Sequence, residues 1–175
     1  IAQKMGIEKT INFLNSLNLL ESMQFDLEEM GKPLPLKWGK CKLATVSFGH
    51  GISTTPLQVA TAYAIISNGG YKIKPTLIKQ EIKFRKKKIL NKNVSKNINS
   101  ILRKIVSTKE GTASLANVDG YSIGGKTGTA QKIENGSYTK KKINSFVSIF
   151  PTNEPKYVLL VLLDEPKPNS EYIYN

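Results

Sequence analysis

Gly124-Gly125-Lys126-Thr127-Gly128-Thr129-Ala130 is the stretch of this sequence that decides the fold. The β-rich composition of residues 121–133 predicts a strand. Side chains alternate along a strand, which places Lys126 and Gly128 on one face and Thr127 and Thr129 on the other. Gly128 leaves room for another backbone to approach. Such a strand can bind an extended peptide by β-augmentation, with the hydroxyls and the Lys126 ammonium holding a terminal carboxylate.

The residues that follow predict two further strands in an antiparallel sheet. Asn135-Gly136 is a strong signal for a hairpin turn. Residues 143–150 are expected to form the second strand, and the proline-flanked residues 151–155 a turn. The continuous apolar run from Tyr157 to Leu163 predicts a third strand covered on both faces.

Helices are predicted earlier in the chain. The clearest has Thr55 as its N-cap, Pro56 at the first helical position and Gln58 completing a capping box, and it ends at Asn68-Gly69-Gly70. The other predicted elements are a helix over 7–22, irregular chain over 24–45, a strand, hairpin and strand over 76–90, a helix over 95–107 capped by Ser95, and a short helix over 112–116. Helices followed by an antiparallel sheet make an α+β fold.

Composition and charge weigh against several classes of function. The 175 residues are enough to bury a hydrophobic core, and the net charge of +13 could attract phosphates or acidic polymers. Nearly all of the excess is lysine, because Arg85 and Arg103 are the only arginines. Bidentate recognition of phosphates and bases prefers arginine. The lysine runs at 86–88 and 140–142 are therefore interpreted as solvated loop faces.

Single residues and chain ends set further bounds. Cys41 and His50 are each the only residue of their type, so neither a disulfide framework nor a His-rich metal site is expected. The longest apolar run is far shorter than the ~20 residues of a membrane span, so an anchor is expected only outside this sequence. The sequence begins inside a predicted helix at Ile1 and ends at Asn175 without a stop signal, so both ends are expected to be cuts.

The strand sequence also resembles a known family. Lys126-Thr127-Gly128-Thr129 is similar to the third signature of penicillin-binding proteins and serine β-lactamases. Further similarity, to class B penicillin-binding proteins, lies in Ser47-Phe48-Gly49-His50-Gly51-Ile52, Thr55-Pro56-Leu57-Gln58-Val59-Ala60, Tyr63-Ala64, Asn68-Gly69-Gly70 and Glu110-Gly111-Thr112-Ala113. The Ser-Phe-Gly-His-Gly form resembles the division-specific, septal branch. The elongation branch usually has Gln in the place of His50, and the resemblance spans roughly Ile1 to Pro166.

The resemblance implies a peptidoglycan D,D-transpeptidase with the α+β fold of serine β-lactamases. In that family a serine attacks the D-Ala-D-Ala donor of a stem peptide, and an amine acceptor resolves the acyl-enzyme. Carried onto this chain, Lys126 shapes the field around the nucleophile, Thr127 and Thr129 bind the donor carboxylate beside Gly128, and the Thr129 N–H is an oxyanion donor. The resemblance implies β-lactams as inhibitors, divisome membrane proteins as partners and a location on the periplasmic side of the inner membrane. It implies neither a metal nor an organic cofactor.

Part of the family pattern is missing from this sequence. The only Ser-x-x-Lys is Ser137-Tyr138-Thr139-Lys140, which follows the third signature instead of preceding it. Ser16-Leu17-Asn18 and Ser95-Lys96-Asn97 match Ser-x-Asn but lie in predicted helices. Residues 1–175 are therefore expected to be the C-terminal part of one transpeptidase domain, incomplete at both ends and inactive alone. The nucleophile is expected upstream of Ile1.

Other functions compete with this interpretation. Residues 120–127 fit the P-loop pattern of nucleotide-binding proteins, but a P-loop needs a helix that opens at Lys126. The charge suggests a basic nucleic-acid-binding module, yet aromatic residues do not interleave with the lysines. A β-lactam sensor, a carboxypeptidase or a β-lactamase of the same superfamily stays open. For His50 we expect a structural, loop-ordering role, and for Asp164 at most a role in ordering the turn after the third strand.

Overall fold

The computed structural model describes residues 1–27, 31–79, 87–134 and 137–167. Five helices and three strands lie in these ranges. The helices are α1 (Ala2–Met5), α2 (Ile7–Ser16), α3 (Lys40–Val46), α4 (Pro56–Ser67) and α5 (Lys92–Ser107), with a 3₁₀ turn at Ser114–Ala116; the strands are β1 (Gly124–Glu134), β2 (Ser137–Phe150) and β3 (Tyr157–Asp164). None of the helices described is both long and apolar enough to cross a bilayer.

The three strands form one antiparallel sheet in the order β1-β2-β3. Gly124 pairs with Ile149 at one end of the β1–β2 ladder, and Glu134 pairs with Ser137 at the other. Helix α5 packs on β1, and α4 packs on β2 and β3. The α+β prediction is confirmed, and the predicted hairpin turn at residues 135–136 lies outside the described residues.

Helix α4 begins as its sequence predicts. The Thr55 side chain accepts a hydrogen bond from the Gln58 backbone N–H at 3.3 Å, and Gln58 Oε1 accepts one from the Thr55 N–H at 2.8 Å. Gln58 is completely buried, and its Nε2 also donates to Asn18 O and Glu21 O, both at 2.9 Å. A buried amide must have partners, so this one side chain fixes α4 to the chain after α2 as well as capping the helix.

A small apolar core lies between α2, α4 and the chain that follows α4. Leu17, Ala62 and Ile65 are its buried members, and Leu19, Ile66, Ile73 and Ile89 pack around them. On the sheet side, Val147 and Ile149 of β2 and Leu102 and Val106 of α5 are also buried. The two layers, helices and sheet, thus bury one side of each element against the other.

The N-cap predicted for α5 is wrong. The helix begins at Lys92, with Asn91 as the N-cap: its side chain accepts from the Asn93 N–H at 3.0 Å. Ser95 lies one turn inside the helix, 1 % exposed, and its hydroxyl accepts a hydrogen bond from Gly69 N at 3.0 Å. Ser95 thus satisfies a backbone donor at the end of α4, a long-range role that local spacing does not reveal.

Other predicted boundaries also differ from the structure. Strand β1 runs from Gly124 to Glu134 where 121–133 was expected, and β2 begins at Ser137 and not at residue 143. Helix α2 ends at Ser16 instead of residue 22, because Asn18 adopts a positive φ of 61° that no helix continues through. Helix α3 lies partly within the 24–45 segment that was expected to be irregular. In the predicted hairpin over 76–90, residues 80–86 lie outside the described residues, and Lys88 forms only an isolated bridge with Tyr71.

The expectation that β3 is covered on both faces is wrong. Tyr157, Leu159, Val161, Leu162 and Leu163 are between 43 % and 61 % exposed. β3 is an edge strand of the described sheet, with β2 on one side and no strand on the other within the described ranges. A continuous apolar run predicts burial only if further elements cover it.

Candidate functional site: the free edge of β1

The predicted substrate strand lies at the other edge of the sheet. In the part of the chain that the structure describes, β1 pairs with β2 alone, so one side of its backbone has no strand partner; we call this side the free edge. Lys126, Gly128 and Thr129 are exposed along it and Thr127 is half-buried. Unpaired N–H and C=O groups on such an edge can pair with an added peptide strand.

Two glycines allow the beginning of β1 to lie close to α5 and to β2. A Cβ on Gly124 would lie 2.9 Å from Arg103 N and 3.0 Å from the Leu102 carbonyl carbon, so only glycine allows this approach of helix and strand. A Cβ on Gly125 would lie 2.6 Å from Val147 O of β2. Sequence analysis missed this role, although two adjacent glycines at the start of a strand are a signal for close backbone contact.

Arg103 also fixes the entry to the strand, which sequence analysis did not predict. Its guanidinium donates hydrogen bonds to Ile123 O at 2.8 Å and to Asn117 Oδ1 at 2.9 Å. Thr152 N donates to Ser122 O at 2.9 Å on the opposite side. The segment that leads into Lys126 is therefore held by a helix and by the turn between β2 and β3.

Lys126 lies along its own strand with its ammonium group accessible. Nζ donates to Thr127 O at 2.8 Å and lies 3.4 Å from Thr127 Oγ1. The positive charge is therefore next to the Thr127 hydroxyl, where a carboxylate could accept hydrogen bonds from both groups.

Thr127 connects the strand to a second motif. Its Oγ1 donates to Thr112 Oγ1 at 3.3 Å. Thr112 follows Gly111. The backbone at Gly111 lies so close to helix α5 that a Cβ added to this residue would be 2.0 Å from Ile105 O. The structure thus brings the Glu110–Ala113 motif beside Thr127, a contact that sequence analysis did not predict.

Gly128 and Thr129 complete the exposed stretch. Ser145 of β2 lies opposite Gly128 and donates from Oγ to Gly128 O at 3.3 Å. A Cβ on Gly128 would lie 2.7 Å from Ser145 Oγ. Thr129, opposite Asn144, is exposed, and its hydroxyl makes no hydrogen bond within the described part of the chain. All four predicted site residues therefore lie together on the free edge.

The remaining candidate residues lie elsewhere. His50 is in the loop after α3, with its ring 5.6 Å from that of Tyr138 and 5.8 Å from that of Phe48. Ser137, the start of the misplaced Ser-x-x-Lys match, begins strand β2 and not a helix. Asp164 forms an ion pair with Lys132 at 2.6 Å, at the end of β3. No three His, Cys, Asp or Glu side chains gather as metal ligands in the ranges described.

Comparison with known proteins defines the class of this site. Residues 1–174 match the family described as the penicillin binding protein transpeptidase domain. The chain belongs to that family. The P-loop alternative is wrong, because Lys126 and Thr127 continue a β-strand where a nucleotide site needs the first turn of a helix.

Curated relatives narrow the class further. The "Probable peptidoglycan D,D-transpeptidase FtsI" of Caulobacter vibrioides is 32 % identical over 182 residues, which cover 97 % of this chain and 31 % of the relative. The "Peptidoglycan D,D-transpeptidase FtsI homolog" of Mesostigma viride is 39 % identical over 196 residues, which cover 94 % and 30 %. The chain thus spans about a third of the length of these relatives.

A solved structure agrees with the fold. The transpeptidase domain of Burkholderia pseudomallei penicillin-binding protein 3 superimposes with a TM-score of 0.87 at 28 % identity. The match covers 94 % of this chain and 51 % of that one. Penicillin-binding protein 3 of Mycobacterium tuberculosis gives 0.86 at 26 % identity, over 94 % and 42 %.

Proposed function

We propose that residues 1–175 form the C-terminal part of one transpeptidase domain, and that the complete protein is a peptidoglycan D,D-transpeptidase that binds β-lactams. The observation that carries this proposal is the position of Lys126, Gly128 and Thr129, all exposed, and of the half-buried Thr127 on the free edge of β1. A donor peptide can add to this edge as a further strand and present its carboxyl end to the lysine and the hydroxyls. The names of the Caulobacter and Mesostigma relatives support the reaction class.

The polar site residues have proposed roles in binding the donor and in catalysis. Lys126 supplies positive charge beside the donor carboxylate and the nucleophile, and Thr127 and Thr129 donate hydrogen bonds to that carboxylate. The Thr129 backbone N–H is one of the donors that stabilise the oxyanion of the tetrahedral intermediate. Thr112 positions the Thr127 hydroxyl through their 3.3 Å contact.

The proposed reaction is acyl transfer through a serine of the complete protein. The serine attacks the carbonyl between the two D-Ala residues, and the terminal D-Ala leaves. The amine of a neighbouring stem peptide then attacks the acyl-enzyme, so that a cross-link forms and the serine is regenerated. A β-lactam enters the same site, and its acyl-enzyme resists this second step.

The FtsI names of the relatives support a role at the division septum. We propose that the complete protein is anchored in the cytoplasmic membrane, with this domain on the periplasmic side, and that it works with other membrane proteins of the division machinery. The Ser-Phe-Gly-His-Gly segment around His50, which resembles the septal branch, points the same way.

Covalent labelling of the complete protein by a fluorescent penicillin tests the proposal. Lys126→Ala should slow labelling by roughly 100-fold or more, the size expected when one preorganised electrostatic group is lost. Thr112→Val removes only the support of Thr127, so it should slow labelling by about 2- to 10-fold, the equivalent of one ordinary hydrogen bond. Lys156→Ala, at an exposed lysine outside the site, is the matched control and should leave the rate unchanged.

Two outcomes would count against the proposal. Absence of any penicillin adduct on the complete wild-type protein would remove the proposed activity. Equal rates for the Lys126→Ala and Lys156→Ala variants would remove the assigned role of Lys126 and leave the family membership unaffected.

A further inference from the structure

Three aromatic rings form a cluster beyond the far end of the substrate strand. The His50 ring lies between Phe48 and Tyr138, with centroid distances of 5.8 Å and 5.6 Å and tilted planes. Phe48 is 70 % exposed and Tyr138 53 % exposed. The aromatic cluster of Phe48, His50 and Tyr138 therefore presents ring surface to solvent and is not part of the core.

The loop side of the cluster is built from backbone and lysine contacts. His50 N donates to Thr45 O at 3.0 Å, and Lys42 Nζ donates to Gly51 O at 3.3 Å. Gly49 and Gly51 have φ of 88° and 69°, a conformation that favours glycine on each side of the histidine. These contacts hold the His50 ring towards Tyr138.

Tyr138 forms the hairpin side of the cluster, next to a β-bulge that changes the direction of its side chain. The β1–β2 register shifts between Gln131 and Ile133, and Tyr138 becomes the partner of Ile133. Thr139 Oγ1 donates to Lys132 O at 3.2 Å within the bulge. A bulge bends its strands and changes the direction of the side chains that follow. The bulge therefore explains how Tyr138, a residue of strand β2, contacts the loop that follows α3.

The exposed part of the free edge of β1 runs from Lys126 towards Ile133. At the beginning of the strand, Gly124 and Gly125 are buried against α5 and β2. From Gly128 to Gln131 the strand is exposed, and Ile133 is 59 % exposed. With its carboxyl end beside Thr127 and Thr129, a donor peptide that follows this exposed part of the edge runs towards Ile133, and so towards Tyr138.

We propose that the aromatic cluster binds the amino-terminal half of the donor stem peptide, an inference that rests on the function proposed above. Ile133 is the fourth residue after Thr129, a distance of about 13 Å along an extended strand. The two D-Ala residues of a donor reach only the first part of this distance. The first residues of a pentapeptide reach its end, where Tyr138 and His50 offer their ring faces.

Charge favours the same occupant. Lys132 and Lys141 are engaged in ion pairs with Glu134, Asp164 and Glu165. Lys140 and Lys142 are exposed, and neither lies within ion-pair distance of an acidic side chain in the described ranges. Stem peptides carry free carboxylates along their length, so Lys140 and Lys142, two and four residues along β2 from Tyr138, complement them.

The test compares long and short donors on the complete protein. The donors are blocked peptide thioesters ending in D-Ala-thioglycolate, one of pentapeptide length and one with only the D-Ala unit, and kcat/KM is read from thiol release. His50→Ala and Tyr138→Ala should lower kcat/KM for the long donor by about 3- to 10-fold, the effect of one aromatic contact, and leave that for the short donor unchanged. Tyr138→Phe keeps the ring and should retain most of the wild-type value.

Tyr121→Ala is the matched control, because Tyr121 is an exposed tyrosine outside the cluster, at 65 % against 53 % for Tyr138. Labelling by penicillin should be unchanged in every variant, which shows that each has folded. Equal losses on both donors, or no loss on the long donor, would overturn the inference. A wild-type protein that neither labels with penicillin nor releases thiol from either donor would overturn the proposed function as well.

Discussion

The two edges of the sheet are built from opposite kinds of residue. β1 exposes lysine, threonine and glycine along residues 126–129, whereas β3 exposes a row of leucine, valine and tyrosine along residues 157–163. Both strands lack a partner on their outer side in the described ranges. A polar, glycine-containing edge resists permanent pairing and suits a peptide that must enter and leave, while an exposed apolar edge favours lasting cover. One sheet thus combines an edge suited to exchange and an edge suited to burial.

The largest expected effect is a difference in stability between alanine substitutions at two glycines of β1. Gly124→Ala places a methyl group within 3.0 Å of the α5 backbone, which cannot rotate away, so it should destabilise the domain by roughly 1–3 kcal/mol. Gly128→Ala meets only the Ser145 hydroxyl, a mobile group, so stability should change little, although the new methyl group narrows the edge and should reduce penicillin labelling.

Denaturant midpoints and labelling rates of the complete protein check this pair. Gly39→Ala is the control, since a Cβ there meets nothing within 4 Å. The distinction between an anchoring glycine and a substrate-facing glycine fails if Gly128→Ala unfolds the domain as readily as Gly124→Ala does.

An effect of comparable size is expected on β3. The match to solved transpeptidase domains covers about half of their length, 51 % in one case, so the exposed face of β3 has candidate cover in the complete protein. Leu159→Lys should therefore reduce self-association of residues 1–175 in isolation. In the complete protein the same substitution should lower the free energy of unfolding by about 2–3 kcal/mol, the transfer free energy of a buried leucine.

Sedimentation of the isolated chain and chemical unfolding of the complete protein measure the two effects. Val94→Lys, at a 44 % exposed valine of α5, is the control and should change neither. We also expect the isolated chain to be marginally stable. A sharp cooperative thermal melt of residues 1–175, with no self-association, would show that β3 needs no cover.

Local signals account for the parts of the fold that were predicted. The capping box of Thr55 and Gln58 lies within four residues, and each strand has its own composition, so α4 and β1–β3 could be found from the sequence. Ser95 was misassigned because its partner, Gly69, is 26 residues away. The cover of β3 was misjudged for the same reason, since apolar composition does not say what packs on it.

The candidate site also has one part that local sequence predicts and another part that it does not. Lys126 to Thr129 are consecutive, so a single predicted strand placed them together, and the resemblance supplied their roles. The contact of Thr127 with Thr112 joins residues 15 positions apart in the sequence. The contact of Tyr138 with His50 joins residues 88 positions apart (138 − 50). Such pairs depend on the register of the sheet and on the bulge at Lys132, which the sequence pattern does not show.

The smallest expected effect concerns the ion pairs that link the two edges. Lys132 of β1 contacts Asp164 of β3 at 2.6 Å and Glu165 at 2.8 Å, across the intervening β2. The hydrogen bond from Lys132 lowers the pKa of Glu165 below its usual 4.5, and the hydrogen bonds to Asp164 and Glu165 raise the pKa of Lys132 above its usual 10.5. Both carboxylates are exposed and the Lys132 side chain is 25 % exposed, so solvent screens these pairs and their contribution to stability is small.

The sign of the pH dependence follows from these two directions. A lowered carboxylate pKa stabilises the folded state above the unfolded-state pKa, and this contribution is lost as pH falls through the folded pKa. A raised lysine pKa stabilises the folded state below the unfolded-state pKa, and this contribution is lost as pH rises through the folded pKa.

Glu165→Gln should therefore lower the unfolding midpoint slightly at pH 7, and the difference from wild type should vanish in acid below the folded pKa of Glu165. Glu154→Gln, at an exposed glutamate with no ion pair in the described ranges, should show no such pH-dependent difference. If the Glu165→Gln difference persisted unchanged in acid, the link between the edges would depend on packing around residue 165 and not on its charge.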